Sequence, residues 1–527
     1  MKKISLFFTS ILVAAASLLS VSCIGDLNVT PIDPDVDLPD SVLNSVEAYE
    51  QLLAKCYVGL AVSASQGPDT SPDIDGIDGG FGQYMRALFN LNEVTTDEAI
   101  IVWNDQTIHD LANVNWTTSD IFITAMFSRI FYQVSVCNEF IRRAQASKFA
   151  DDQRIKDYIA EARALRALSY WHAIDMFGNV PFTTEENSVG STAPGRIERA
   201  DLYEWLVNEI KDFTPLLKPA MSHEYGRVDQ GFAHMLLAKL YLNAEVYTDK
   251  KVSAWSECAE LCKTIISEYG GSLYNEYEHL FLADNHLRRN EIIFAVESDG
   301  TFTQSYGSVN FVIKSSNPSG ETAWQAALGV NDGWGGIIVT PQFLDKFETG
   351  DKRFMFTDGT SYVKASEIHS RDCSDPYNFK TGWCSMKFKN LKSDGSAASS
   401  TAFPDTDYPV FRTADAYLML AECELHGAVS GEGLNAFNEV RKRAGVPVVT
   451  KLTEDIVLDE RGREFYFENL RRQDLIRFGK YTSSDYVWAW KGGVLEGRGV
   501  DEKFNLFPIP TTELNVNENL KPQNPGY

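Results

Sequence analysis

The chain has 527 residues, 44% hydrophobic and 23% charged, enough for a large core and more than one ordinary domain. Its 73 acidic residues outnumber 48 basic ones. The resulting net charge of −25 excludes nucleic acid and an anionic membrane surface as natural partners, because phosphate repels such a surface. Aromatics make up 12%, which leaves rings for a surface that takes a neutral ligand.

Lys2 and Lys3 precede an apolar run, Ile4 to Leu19, too short for a spanning helix. It runs into Leu19-Ser20-Val21-Ser22-Cys23, with small residues just before a cysteine. Residues 1–22 read as a lipoprotein signal with Cys23 acylated, although Ser20 stands where Leu is usual. Several acyl chains on one residue would anchor the protein stably to a membrane. Residues 23–40, which include IGDLNVTPIDPDVDLPD, read as an acidic, proline-rich tether.

The remainder, 41–527, reads as one domain. Ser41 to Leu60 has a helical pattern. Residues 63–80, SASQGPDTSPDIDGIDGG, form a long polar loop of a length that is often functional. Within it, Asp73-Ile74-Asp75-Gly76-Ile77-Asp78-Gly79 hints at calcium, but Ile77 occupies the third ligand position and no terminal Glu follows. No metal is expected there.

Ile121–Ala146 and Asp151–Phe177 read as an antiparallel helix pair. In the second, Tyr158, Ala162, Leu165, Leu168, Trp171 and Ile174 recur at steps of three or four, and Gly178 and Pro181 stop the helix. His172 on this aromatic helix reads as structural. Arg163 and Arg166, on another face, are expected to bond carbonyls or pair with acids across helices. Asp229–Val246 with Trp255–Tyr269, and Thr413–His426 with Gly433–Ala444, repeat the pattern, small residues alternating with large ones. They resemble degenerate tetratricopeptide pairs. The expected fold is therefore mainly α. Tetratricopeptide-like helix pairs over about 41–270 and 408–527 form a scaffold, and an irregular, loop-rich insertion spans about 271–407.

Seven of the eight cysteines follow Cys23, an odd number without regular spacing, which argues against a disulfide framework. Cys373 and Cys384 share a loop-rich stretch and could pair. Cys258 and Cys262 lack the further ligands of a zinc site.

No nucleophile elbow, H-E-x-x-H, Walker loop or dinucleotide fingerprint occurs, so an enzyme is not expected. Gly329-Val330-Asn331-Asp332-Gly333-Trp334-Gly335-Gly336 is glycine-rich but lacks the strand-to-helix context of a phosphate loop. Residues 78–106 put Asp78, Arg86, Trp103, Asn104 and Gln106 in or beside irregular segments. The insertion adds Tyr306, Trp324 and Trp334, each near glycines. Rings beside such groups suit carbohydrate: the C–H face of a sugar lies on a ring, and the polar side chains bond its hydroxyls.

Five ordered features carry a family resemblance. They are the lipoprotein start; EARALRALSYWHAIDMFGNVPF (161–182); YPVFRTADAYLMLAECE (408–424); ERGREFYFENLRRQDLIRFGK (460–480); and the terminus LFPIPTTELNVNENLKPQNPGY. On these the mature chain resembles the SusD/RagB family of outer-membrane nutrient-binding lipoproteins, and the segment 78–106 resembles its starch-binding members. The resemblance implies a non-catalytic protein on the cell surface. It would capture oligosaccharide or polysaccharide, with α-glucan favoured, and pass it to a TonB-dependent SusC-like transporter. It would place Trp103, Tyr306 and Trp334 on an aromatic arc, with Trp324 as rival for Trp334. Asp78 and Arg86 would bond hydroxyls, and Asn104 or Gln106 would supply an amide. It implies no cofactor; a structural calcium is possible, with no ligands matched here. The same role for another glycan, or a tetratricopeptide-type interaction role without sugar, remain as alternatives.

Overall fold

Asp120 accepts backbone N–H groups from Phe122 and Ile123, and Asp152 accepts that of Arg154. Each satisfies donors that a helix start leaves open, and each begins one of the two longest helices. In a computed structural model that describes residues 42–187 and 193–527, most of the chain follows such local signals. Residues 50–527 make one unit; residues 1–49 make another, of which 42–49 are described. The signal, Cys23 and the tether lie outside the described residues.

In chain order, α1 is Val46–Ala61 and α2 is Tyr84–Asn92. The strand β1 (Ala99–Ile101) and α3 (Gln106–Ala112) follow. The first long pair is α4 (Ile121–Gln145) and α5 (Gln153–Met176), with α6 (Arg199–Phe213) packed on α5. Next come α7 (Gln230–Leu242) and α8 (Trp255–Glu268), which pack together. The irregular part contains β2 (Ile292–Val296), α9 (Ser308–Ser315), α10 (Thr322–Leu328) and β3 (Ile337–Val339). The scaffold resumes with β4 (Tyr408–Arg412), α11 (Thr413–Leu425), α12 (Glu432–Ala444), α13 (Glu454–Phe465) and α14 (Arg471–Arg477). Helix α8 packs on both α7 and α11, so the helix pairs before and after the insertion share one core. The mainly helical, tetratricopeptide-like scaffold with its irregular insertion is the architecture expected from the periodicity.

Two antiparallel ribbons tie the insertion in. The strand β2 pairs with β4, so the insertion leaves and re-enters the scaffold at one place. The strand β1 pairs with β3, Ala99 opposite Val339 and Ile101 opposite Ile337. This second ribbon brings the polar loop and α2 up against the insertion.

Helix α5 departs from a simple one-face pattern. From Ala160 to Met176 every residue but Arg163 is buried. Arg166 is enclosed and bonds Asn138, Glu185 and Glu209, while Arg163 pairs with Glu209 (2.7 Å) and Asp212 (2.8 Å). His172 Nδ1 lies 2.8 Å from the Tyr84 hydroxyl, and burial lowers its pKa to about 3. It is a neutral packing group, not a catalytic base.

The motif ERGREFYFENLRRQDLIRFGK contributes a buried ionic network. Glu464 accepts from Arg412 (2.9 Å), Arg443 (2.5 Å) and Arg353 (3.2 Å). Arg412 also meets Glu291 (2.8 Å) and Glu468 (2.6 Å), and Arg461 bridges Asp415 (2.9 Å) and Asp474 (2.7 Å). Burial alone would raise the Glu464 pKa, but Arg443, Arg412 and Arg353 outweigh it and hold it at about 2. Glu460 is held at about 2 against burial by Arg353 and Arg463.

Unfolded glutamate titrates near ~4.3, so the stability from these groups is complete above that value and lost as pH falls through their folded pKa. Asp407 and Glu98 act oppositely, because burial raises both to about 7. Their folded forms bind protons more tightly than the unfolded chain. Each therefore lowers stability as pH rises from about 4 towards 7. The melting temperature is expected to peak between about pH 4 and 5 and to fall on both sides. Scanning calorimetry across the acid range checks this.

The seven cysteines among the described residues are free and buried. The suggested Cys373–Cys384 pairing is therefore not formed. Cys373 Sγ instead faces the Val339 carbonyl (3.6 Å) and Cys384 Sγ faces His369 (3.8 Å). Burial pushes both thiols up to about 12, which keeps them protonated and unreactive.

Candidate functional site

A groove of about 640 Å³ opens where the polar loop meets the insertion. The loop and α2 contribute Asp69, Asp78, Gly80 and Arg86; the insertion contributes Tyr306, Asp332 and Trp334. Its volume lies within the usual range of small-molecule sites, roughly 300–1,000 Å³.

Each wall is held from beneath. Asp78 Oδ1 accepts the N–H groups of Gly80 (2.8 Å) and Phe81 (3.0 Å), which fixes the turn that leads into α2. Gln83 caps α2 at Arg86 N (2.9 Å), and its Oε1 also accepts from Ser308 N (3.1 Å) at the start of α9. Arg86 Nη1 donates to the Tyr306 carbonyl (3.1 Å), and its guanidinium lies 4.3 Å from the Phe311 ring centre. Burial lowers the Arg86 pKa to about 10, against the opposing pull of Asp78, so Arg86 stays charged at neutral pH.

Tyr306 and Trp334 meet edge to face with centroids 5.9 Å apart, and the Tyr306 hydroxyl donates to Asp69 (2.9 Å). That hydrogen bond, with burial, raises the tyrosine pKa and keeps the phenol protonated. Trp334 N donates to the Lys314 carbonyl (2.7 Å). The Lys314 ammonium is buried, pairs with Asp332 (2.6 Å) and stands 5.7 Å from the Trp334 ring centre. The groove thus presents half-exposed ring surface beside carboxylates and a guanidinium. It contains no nucleophile–base pair.

Asp78, Arg86, Tyr306 and Trp334 therefore come together. Trp103, Asn104 and Gln106 do not line this groove. Trp103 is itself half-buried: its Nε1 donates to the Gly335 carbonyl (2.9 Å), and its ring packs against Phe311. Asn104 is exposed. Gln106 begins α3, and its amide donates to Asp110 (2.9 Å). The rivalry between Trp324 and Trp334 resolves by burial. Trp324 is 0% exposed and packs against Tyr362 and His369, so it is core. Asp69, Asp332 and Lys314 were not singled out from sequence. Asp69 lies in the polar loop noted for its length, and Asp332 lies in the glycine-rich stretch beside Trp334.

The glycines of Gly333-Trp334-Gly335-Gly336 permit the close packing. Gly336 has φ +109°, and an added Cβ would run into Trp103 Nε1. Gly336→Ala is expected to lower stability by about 1–3 kcal/mol, read as a lower urea midpoint, with a change in near-ultraviolet tryptophan dichroism.

Among the described residues no three His, Cys, Asp or Glu side chains gather to hold a metal. In the loop that hints at calcium, Asp73 is paired with Arg129 (2.6 Å) and Asp78 caps its own turn, so this donor set does not fit a calcium cage. Among the same residues no helix is long and apolar enough to cross a membrane.

The SusD family model matches residues 355–527. Starch-binding protein SusD of Bacteroides thetaiotaomicron is 31% identical over 100% of this chain and 99% of its own length. The chain belongs to the SusD family. SusD-like protein P25 of Formosa agariphila is 26% identical over 81% of this chain and 80% of its own. The fold of surface glycan-binding protein A from Bacteroides thetaiotaomicron, solved with laminarihexaose, superposes with a TM-score of 0.70 at 20% identity, covering 91% of this chain and 99% of that one. A SusD-superfamily structure from Parabacteroides distasonis also gives 0.70, at 22% identity, over 91% of this chain and 99% of that one. As a member of this family, the chain is not an enzyme.

Proposed function

We propose that the groove between the polar loop and the insertion captures starch or maltooligosaccharides. The observation that carries this reading is the Tyr306–Trp334 ring pair, set beside Asp78, Arg86 and Asp332 in one open groove. The full-length relative named for starch binding supports α-glucan over other glycans. A pyranose would lay its C–H face on the rings and bond its hydroxyls to the charged groups. Asn104, Gln106 and Trp103 stand outside the groove and would reach only a ligand that extends past it. One site gains little from hydrogen bonds exchanged with water, so affinity for a short oligosaccharide is modest; a polymer meeting many copies gains by avidity.

The same reading places the protein on the outer face of the outer membrane. Acyl chains on Cys23 would hold it there, and it would deliver glycan to a TonB-dependent SusC-like transporter. The lipoprotein-type start of the sequence supports the anchor. Co-purification of such a transporter with the native protein from outer membranes tests delivery, and recovery without one counts against it.

Isothermal titration with maltoheptaose and laminarihexaose tests the ligand. Heat with maltoheptaose is the expected result. Heat with laminarihexaose alone would replace α-glucan by β-glucan.

A further inference from the structure

We propose that a second groove, on the other side of Trp334, is a further sugar subsite. It would take residues of an α-glucan chain that runs on from the first groove. This rests on the α-glucan reading above and adds to it a longer binding path.

Trp334 lines both cavities, the first of about 640 Å³ and the second of about 280 Å³. Glycines next to Trp334 let neighbouring rings approach closely. Trp103 packs on Gly336, and the Phe379 ring packs on Gly335, where an added Cβ would sit 3.2 Å from Phe379 Cδ1. A chain that passes from one groove to the other would meet Trp334, the residue that both share.

The second groove has the same chemistry as the first. Phe379 is 44% exposed and supplies a ring, with Pro318 and Val363 as apolar neighbours. Glu321 and the Glu367–Lys380 ion pair (2.7 Å) offer acceptors and a donor for hydroxyls. A single exposed ring needs no partner by itself; what marks Phe379 is that it shares this groove with Trp334. The loop is not slack: Ser370 N donates to the Lys380 carbonyl (2.9 Å) and Gly382 N returns to the Ser370 carbonyl (2.9 Å). The backbone that carries the ring is therefore ordered before any ligand arrives, which lowers the ordering cost of binding.

The test compares maltotriose with maltoheptaose by titration calorimetry on the purified protein. Phe379→Ala is expected to weaken maltoheptaose roughly 3- to 10-fold, the loss of one ring-face contact, and to leave maltotriose unchanged. Ser319→Trp, placed on the exposed rim to fill the groove, should have the same length-selective effect. Suppose both variants bind maltoheptaose as the parent does while Trp334→Ala has lost it. The second groove is then unused, and the first-groove reading stands. Equal weakening of both sugars by Phe379→Ala also overturns the subsite, since the ring would then act on the first groove. A parent protein that binds neither sugar removes the α-glucan reading itself, and the subsite with it.

Discussion

Trp334→Ala is expected to weaken maltoheptaose binding by at least roughly 30-fold, about 2 kcal/mol, with little change in melting temperature. The indole is only half-buried, and the contacts of its own segment run through the backbone: Trp334 N and Gly335 N both donate to the Lys314 carbonyl. Truncating the ring therefore leaves the loop anchored and removes a face that two grooves share. Trp103→Ala should behave differently. Its indole holds the Gly335 carbonyl and covers Phe311, so its loss is expected to lower affinity by loosening the Gly335 backbone and to lower stability measurably as well. Titration calorimetry paired with thermal melts on the two variants separates a ring that meets ligand from a ring that supports one. A Trp334→Ala protein that binds as tightly as the parent would remove the groove as the site.

The sequence disclosed the scaffold because helix signals are local. Periodicity places α4 and α5 within two residues of their observed ends; α7 begins one residue after the expected Asp229 but stops at Leu242, four short of the expected Val246. The site was legible only in part, since it is assembled by long-range pairing. Trp103 and Gly335 are 232 residues apart and meet only because β1 pairs with β3. No local pattern specifies that register. Trp324 and Trp334 look alike in sequence, each aromatic and near glycine. What separates them is that α10 turns Trp324 inward against Tyr362 and His369, a matter of tertiary packing. Asp69 and Asp332 were invisible for the opposite reason: in a chain with 73 acids, two aspartates acquire meaning only when a fold sets them beside rings.

The largest effect on stability is expected at Glu464. This carboxylate accepts from Arg353, Arg412 and Arg443, and all four side chains are at most 4% exposed. Glu464→Ala would leave three guanidinium groups short of a counter-charge where water cannot replace it. Breaking one partner out of a buried ionic set costs about 3–5 kcal/mol, against a total stability of about 5–15 kcal/mol. A large fall in urea midpoint, or loss of soluble protein, is therefore expected. As a control, Glu439 pairs with Lys442 on the exposed face of α12, and Glu439→Ala should leave the midpoint unchanged. The network has a second consequence. None of its members lines either groove, so a Glu464 variant that still folds at low temperature should bind maltoheptaose with the parent's affinity. A loss of affinity out of proportion to the loss of folded protein would mean that the network also sets the groove's shape, through Glu468 and the neighbouring backbone of Phe467, whose N–H is held by Glu98 in the segment leading to β1.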